Sequence, residues 1–313
     1  MKKVIALLLL SLFTTLSFAA NKHLEKLTVI LDWFPNPDHA PLIIAKQQGF
    51  FKEQGLEVEL IGPADPSDPP KLVAAGKADI GITYQPDFME QVDQGLPLIR
   101  IGTLIDKPLD CLVVLNDSGI KNLAGLKGKQ IGLSVSGLSN VMLKVLLQRQ
   151  GLSETDVELV NVHYNLTQAL LSRKVDAVTG LMRNVEVPIL EAQGHKVETF
   201  FPEDNGIPTY SELIFIAHIA NAHDDRFPRF LKALQKAVAY LDEHPKETWQ
   251  QFAKQYPESN NEANRASWFA TLPYFAENPA DFNDADWLQF AAFMKQNQLI
   301  KKIQPISRYT IPV

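Results

Sequence analysis

One stretch constrains the fold of this chain more than any other: LTVILDWFPNPDHAPLIIAKQQGFFKEQGLEVELIGPADPSDPPKLVAAGKADIGITY, residues 27–84. Residues 27–31 read as a strand that runs into the aromatic pair Trp33 and Phe34. A proline-rich turn follows, Pro35-Asn36-Pro37-Asp38-His39. Asp38 is placed to cap a helix, and Pro41 falls in its first turn, where a missing N–H costs nothing. Leu42-Ile43-Ile44-Ala45 continues the helix, and Gly49 and Gly55 read as stops. Strand, polar turn and helix in this order put the turn at the carboxyl end of a parallel strand. Open α/β sheets bind small molecules there.

The same alternation continues. Residues 56–61, 79–83 and 98–104 read as strands, with helices at 71–75 and 86–94 between them. A second unit begins near Asn116. It offers strands at 130–133, 157–162, 175–180 and 197–201, and helices at 141–150, 166–172 and 185–193. Gly76-Lys77-Ala78-Asp79-Ile80 and Arg173-Lys174-Val175-Asp176-Ala177 each close a helix and open a strand, a partial echo between the units. From about Tyr210 the pattern becomes helical, after a strand at 213–217 that could return to the first unit. Phe227, Phe230, Leu231, Leu234, Val238 and Leu241 fall at helical spacing. The division expected is a first lobe of residues 20–115 plus 211–313 and a second of residues 116–210, facing across a cleft. Trp249, Trp268, Trp287, Phe290 and Phe293 lie on terminal helices and read as packing.

At 313 residues the chain is long enough for about two domains of roughly 150 residues each. Lys2 and Lys3 precede a leucine-rich run, and Ser17-Phe18-Ala19 supplies small residues at cleavage spacing, so residues 1–19 read as a secretory signal peptide. The expected location is therefore an exported compartment, most simply a bacterial periplasm, with no membrane insertion after the signal is removed. The one cysteine, Cys111, sits in an apolar run and reads as a buried thiol. A net charge of −6 without basic blocks argues against nucleic-acid binding.

Four loops can converge on the cleft. The first carries Trp33, Asn36 and His39. The residues alone leave Trp33 open between stacking platform and core filler, and His39 between ligand contact and local cap. The second carries Thr83, Tyr84 and Asp87. In the third, residues 134–140, the serines and free amides at a helix start can meet an acceptor; Ser134, Ser136, Gly137 and Ser139 are its candidates. The fourth holds Arg183, Asn184 and Glu186, and its carboxylate can accept from an exocyclic amine. Seven scattered histidines and one cysteine give no metal-ligand spacing, and no nucleotide-loop or nucleophile motif is present. No metal, cofactor or catalytic residue is expected.

The blocks LDWFPNPDHAPLIIAKQQGFFKEQGLEVEL and GKADIGITY, with the GPADPSDPP loop, the LKGKQIG strand and the MRNVE segment, closely resemble the binding proteins that deliver thiamine pyrimidine precursors to ABC importers. That superfamily also includes fungal enzymes that make the thiamine pyrimidine phosphate from histidine and pyridoxal phosphate. The resemblance implies an α/β periplasmic binding protein fold of type II, with a hinged cleft between two doubly wound lobes. It also implies an aminopyrimidine ligand, and permease and ATPase subunits as partners. In it Trp33 and Tyr84 match the aromatic walls and Glu186 the acceptor for the ring amine. Asn36 and His39 match the polar positions of the first loop. The enzymes' Schiff-base lysine and donor histidine are replaced by Thr83 and Asp87, and their cysteine motif has no counterpart near residues 207–213. Synthesis of the pyrimidine is therefore disfavoured. Binding of another solute, such as an alkanesulfonate, stays open.

Overall fold

A computed structural model describes residues 23–134 and 136–311, leaving aside the side chains of residues 136–141. The expected signal peptide lies outside the described residues. Among the described residues ten strands follow in chain order: β1 (Glu25–Ile30), β2 (Leu56–Ile61), β3 (Ile80–Thr83), β4 (Leu98–Ile105), β5 (Asp110–Leu115), β6 (Gln130–Leu133), β7 (Glu158–Asn161), β8 (Ala177–Met182), β9 (Val197–Phe200) and β10 (Leu213–His218). They form two five-stranded sheets, ordered β2-β1-β3-β10-β4 and β7-β6-β8-β5-β9.

Both sheets are built alike. In the first, β1 lies parallel to β2 and β3, and β10 runs antiparallel between β3 and β4. In the second, β6 lies parallel to β7 and β8, and β5 runs antiparallel between β8 and β9. Each sheet thus takes its antiparallel strand from a crossover: β5 arrives directly from β4, and β10 returns after β9. The return of β10 to the first sheet follows the sequence expectation. The placement of β5 corrects it. Residues 110–115, counted above with the first lobe, pair with β8 and β9, where all six are buried between two neighbouring strands of the second sheet.

The sequence echo has a structural counterpart. Gly76 and Arg173 both adopt the left-handed backbone, at φ of +67° and +56°. Three residues after each, an aspartate grips a backbone N–H of the neighbouring parallel strand: Asp79 accepts from the Thr28 N–H of β1 at 2.8 Å, and Asp176 from the Gln130 N–H of β6 at 2.9 Å.

The C-terminal helices seal the first sheet. Helix Arg226–Glu243 buries Phe227, Phe230, Leu231, Leu234, Val238 and Leu241, the apolar stripe expected from spacing. A large apolar side chain fully removed from water contributes about 1.5–3 kcal/mol. Trp249, Trp268, Trp287, Phe290 and Phe293 are all buried, as packing residues should be. The buried Arg100 of β4 ties this layer down. Its guanidinium donates to Thr103 Oγ1, Thr310 Oγ1 and the Asp281 carbonyl, and lies against the Phe282 ring. Cys111 is buried, its Sγ 3.1 Å from the Leu181 carbonyl.

Candidate functional site

The ends of four parallel strands supply one small cavity. Asp32 and Trp33 follow β1, Tyr84 follows β3, Ser134 follows β6, and Gly180 and Met182 belong to β8. Asn36 and Asp38 of the first turn, Leu166 and Glu186 complete it. The walls stand close and leave about 30 Å³, room for about two water molecules. An aromatic ring enters only if the walls move apart. A larger groove of about 920 Å³ passes Thr103, Asp281 and Trp287, but includes neither Trp33, Ser134 nor Glu186.

Of the residues singled out in the sequence, Trp33, Asn36, Tyr84, Ser134 and Glu186 meet at this cavity. His39 stands behind it, fully buried. Its Nδ1 accepts from the Asn36 N–H at 3.3 Å, which leaves Nε2 to donate to Asp32 Oδ1 at 2.9 Å. Asp32 Oδ2 accepts from the Tyr84 hydroxyl at 3.1 Å. His39 therefore positions an acid, and Tyr84 is pinned rather than swinging. Asn184 is also set back. Its Nδ2 donates to Asp38 Oδ1 at 2.6 Å and to Thr271 Oγ1 at 2.7 Å, tying the first turn to the second sheet and to helix Glu262–Thr271. Helix Ser136–Gln148 begins at the expected third loop, but the side chains of Ser136 and Ser139 and the surroundings of Gly137 lie outside those described.

Asp32 and Asp38 were not among the residues expected at the site. Asp38 was read as a helix cap, but the cap is Asn36. Its Oδ1 accepts from the Asp38 N–H at 2.8 Å and opens the short turn Pro37–His39 ahead of helix Ala40–Gln47. This frees the Asp38 carboxyl to turn inward. Half-buried Trp33 meets Tyr164 edge to face, ring centres 4.6 Å apart, and Tyr164 is fixed by its hydroxyl on the Pro63 carbonyl at 2.8 Å.

Three carboxyls, Asp32, Asp38 and Glu186, thus face one space, and no lysine or arginine lines it among the described residues. Burial pushes Asp38 well above the ordinary carboxylate range, with the charges of Glu186 and Asp32 adding to the rise and the Asn184 bond opposing it. Burial pushes Glu186 up to about 7, against the Met182 N–H that bonds its Oε2 at 2.8 Å. Such acids donate as carboxyls or accept as carboxylates according to what stands before them. Ser134 Oγ and Asn184 Oδ1 are buried without a partner among the described residues. The site offers flat apolar walls, acidic edges and spare hydrogen-bonding atoms. That combination suits a small ring rich in donors and able to carry positive charge.

The family model described as "NMT1/THI5 like" matches residues 36–248. A Haemophilus influenzae protein named "Putative thiamine biosynthesis protein" is 46% identical over 92% of each chain. The "Formylaminopyrimidine-binding protein" of Halalkalibacterium halodurans is 32% identical, over 78% of this chain and 76% of its own. A Saccharomyces cerevisiae 4-amino-5-hydroxymethyl-2-methylpyrimidine phosphate synthase, THI11, is 26% identical over 91% of this chain and 87% of its own. Among solved structures, the periplasmic aliphatic sulphonate binding protein SsuA of Escherichia coli superposes with a TM-score of 0.70 at 17% identity, covering 91% of this chain and 92% of that one. The fold is therefore the two-lobed periplasmic binding protein fold of type II. No helix among the described residues is long and apolar enough to cross a membrane. With the family model covering well over half of its length, the chain belongs to the NMT1/THI5-like family.

Proposed function

We propose that this protein captures a thiamine-related aminopyrimidine and hands it to an ABC importer, performing no covalent chemistry. The observation that carries the reading is the set of three acids, Asp32, Asp38 and Glu186, around a cavity walled by Trp33 and Tyr84. A weakly basic ring fits that charge; its amine edge would face Glu186 and Asp38, and its face would lie on the indole. The names borne by two relatives, one for thiamine biosynthesis and one for formylaminopyrimidine binding, support the same ligand class.

An alkanesulfonate fits the fold but not the lining. An anion 4 Å from one ionised carboxylate is opposed by about 4 kcal/mol at an effective dielectric of about 20. The synthase reading needs an amine to condense with an aldehyde, and Thr83 and Asp87 stand where the resemblance would put the lysine and histidine.

In this reading the lobes are β1–β4 with β10 and the C-terminal helices, and β5–β9. They part at the two crossovers to admit the ring and close on it. Closure also presents the surface that permease and ATPase partners would recognise, after export to a periplasm and removal of residues 1–19. Burying one ring with a few directed hydrogen bonds is consistent with affinity of about −8 to −12 kcal/mol, micromolar to nanomolar.

Calorimetry with 4-amino-5-hydroxymethyl-2-methylpyrimidine, taurine and spermidine tests the reading. One pyrimidine should bind per chain, with loss of binding in Trp33→Ala and Glu186→Ala. Taurine binding with no pyrimidine binding would end it.

A further inference from the structure

The pinned pair of Asp32 and Tyr84 has a second side. Beyond it opens a concavity of about 380 Å³, lined by these two residues together with Thr83, Asp87, Gln91 and Lys71 among others. Asp87, in the first turn of helix Gln85–Asp93, is only 2% exposed, and its Oδ1 has no hydrogen-bond partner among the described residues. Gln91 Oε1, one turn further along, is likewise buried and unpartnered. Two acceptors left without donors inside a protein are costly unless something supplies the donors.

The charge around them is one-sided. Asp32, Asp87 and Glu90 all line the concavity. The basic group there, Lys71, is already engaged: its Nζ donates to Ser67 Oγ at 2.9 Å and lies 3.7 Å from Asp68. Burial, then the neighbouring charges of Glu90 and Glu212, hold the Asp87 carboxyl well above its ordinary range, so a cation arriving there relieves an existing strain on its ionisation.

We infer that this concavity is a second subsite, in which Asp87 and Gln91 receive a primary ammonium carried on the ligand's substituent. The inference rests on the aminopyrimidine reading above and sharpens it. With the ring in the first cavity, a substituent that parts the Tyr84–Asp32 hydrogen bond comes to a concavity whose charged groups are mainly acids, Asp32, Asp87 and Glu90. An aminomethyl group brings three N–H donors and a positive charge; a formylated amine brings one donor and no charge; a hydroxymethyl group brings one donor. A phosphate meets the acids and is rejected. Charge-assisted hydrogen bonds are about twice as strong as neutral ones, which sets the order of preference.

The test is calorimetry of the purified protein at pH 7 with three pyrimidines that differ only in this substituent: aminomethyl, formylaminomethyl and hydroxymethyl. The wild type should bind the aminomethyl compound at least about tenfold more tightly than the hydroxymethyl one. Asp87→Asn, nearly the same in shape, should shrink that advantage below about threefold while keeping hydroxymethyl binding, which also reports that the variant is folded. Gln91→Leu should narrow the advantage in the same direction. Equal affinities in the wild type, or an advantage that survives Asp87→Asn, would overturn the subsite while leaving the aminopyrimidine reading standing. If the wild type binds none of the three, that reading falls and takes the subsite with it. Should Asp87→Asn fail to fold, Gln91→Leu decides in its place: an advantage undiminished there would overturn the subsite.

Discussion

Asp32 and His39 form a closed pair at the floor of the cleft: the imidazole Nε2–H points at Asp32 Oδ1 from 2.9 Å, with the histidine fully buried. The other carboxylate oxygen takes the Tyr84 hydroxyl, so one acid fixes residues from two strand ends. Removing it strands both donors in a dry setting.

Asp32→Ala should therefore cost about 2–4 kcal/mol of stability, the penalty of leaving two buried donors unpaired. It should also weaken aminopyrimidine binding, because Tyr84 loses its anchor. Urea unfolding of both proteins, followed by calorimetry under native conditions, checks the two effects separately. A change below about 0.5 kcal/mol would mean that water replaces the carboxylate without loss.

Asn184 makes a contrasting case. Its amide serves Asp38 and Thr271, so Asn184→Ala should act first on stability, lowering it by about 1–3 kcal/mol. The Asp38 carboxyl, deprived of the bond that favours its charged form, should then titrate still higher. Carboxyl resonances followed by NMR across pH would show the rise, and an unmoved Asp38 would show that the bond contributes little.

The two crossovers carry a pH dependence of their own. Glu212, just ahead of β10, is fully buried and accepts from the N–H groups of Leu109 at 2.5 Å and Asp110 at 3.0 Å, so it staples one crossover to the other. Burial lifts its carboxyl from an ordinary 4.5 to about 7, with the two N–H bonds opposing the rise, and the nearby charges of Glu212 and Asp110 discourage each other's ionisation. Below pH 4.5 folded and unfolded chains both hold the proton, and the contribution to stability is whole. Between there and pH 7 the unfolded chain releases its proton first, so stability falls as pH rises; above pH 7 the loss levels off at about 3 kcal/mol. Glu212→Gln keeps an oxygen for the two N–H groups and cannot ionise. Its unfolding free energy should decline less than that of the wild type between pH 5 and pH 8. Parallel profiles would place the titrating group elsewhere.

How much of this was legible beforehand depended on whether a property is local. Strand ends and helix stops are local, so the carboxyl-end positions of Trp33, Tyr84, Ser134 and Glu186 followed from the order of elements. The inward turn of Asp38 is not local: it is held by Asn184, 146 residues away, and an acid after Pro37 reads as a cap until that partner is in place. Asp32 is held by Tyr84, 52 residues on, and a lone aspartate between a strand and a tryptophan carries no sign of this. The apolar run around Cys111 did not reveal that residues 110–115 belong to the second sheet, because their neighbour β8 begins far along the chain.

The echo between the two sheets leads to a last prediction. Arg173 occupies the left-handed turn that Gly76 occupies in the first sheet, with φ of +56° against +67°. A side chain with a Cβ is strained in that region by about 1–2 kcal/mol, partly offset by the smaller entropy it loses on folding compared with glycine. The arginine makes an ion pair with Asp117 at 2.7 Å, but both partners are exposed and such a pair is worth about 0–1 kcal/mol. Relief of strain should win narrowly, so Arg173→Gly should raise stability by up to about 1 kcal/mol without touching the cleft. Thermal melting at low and at moderate salt separates the terms: the gain should grow as salt screens the lost ion pair. A variant less stable at both salts would show that the Asp117 contact, not the backbone, governs this turn.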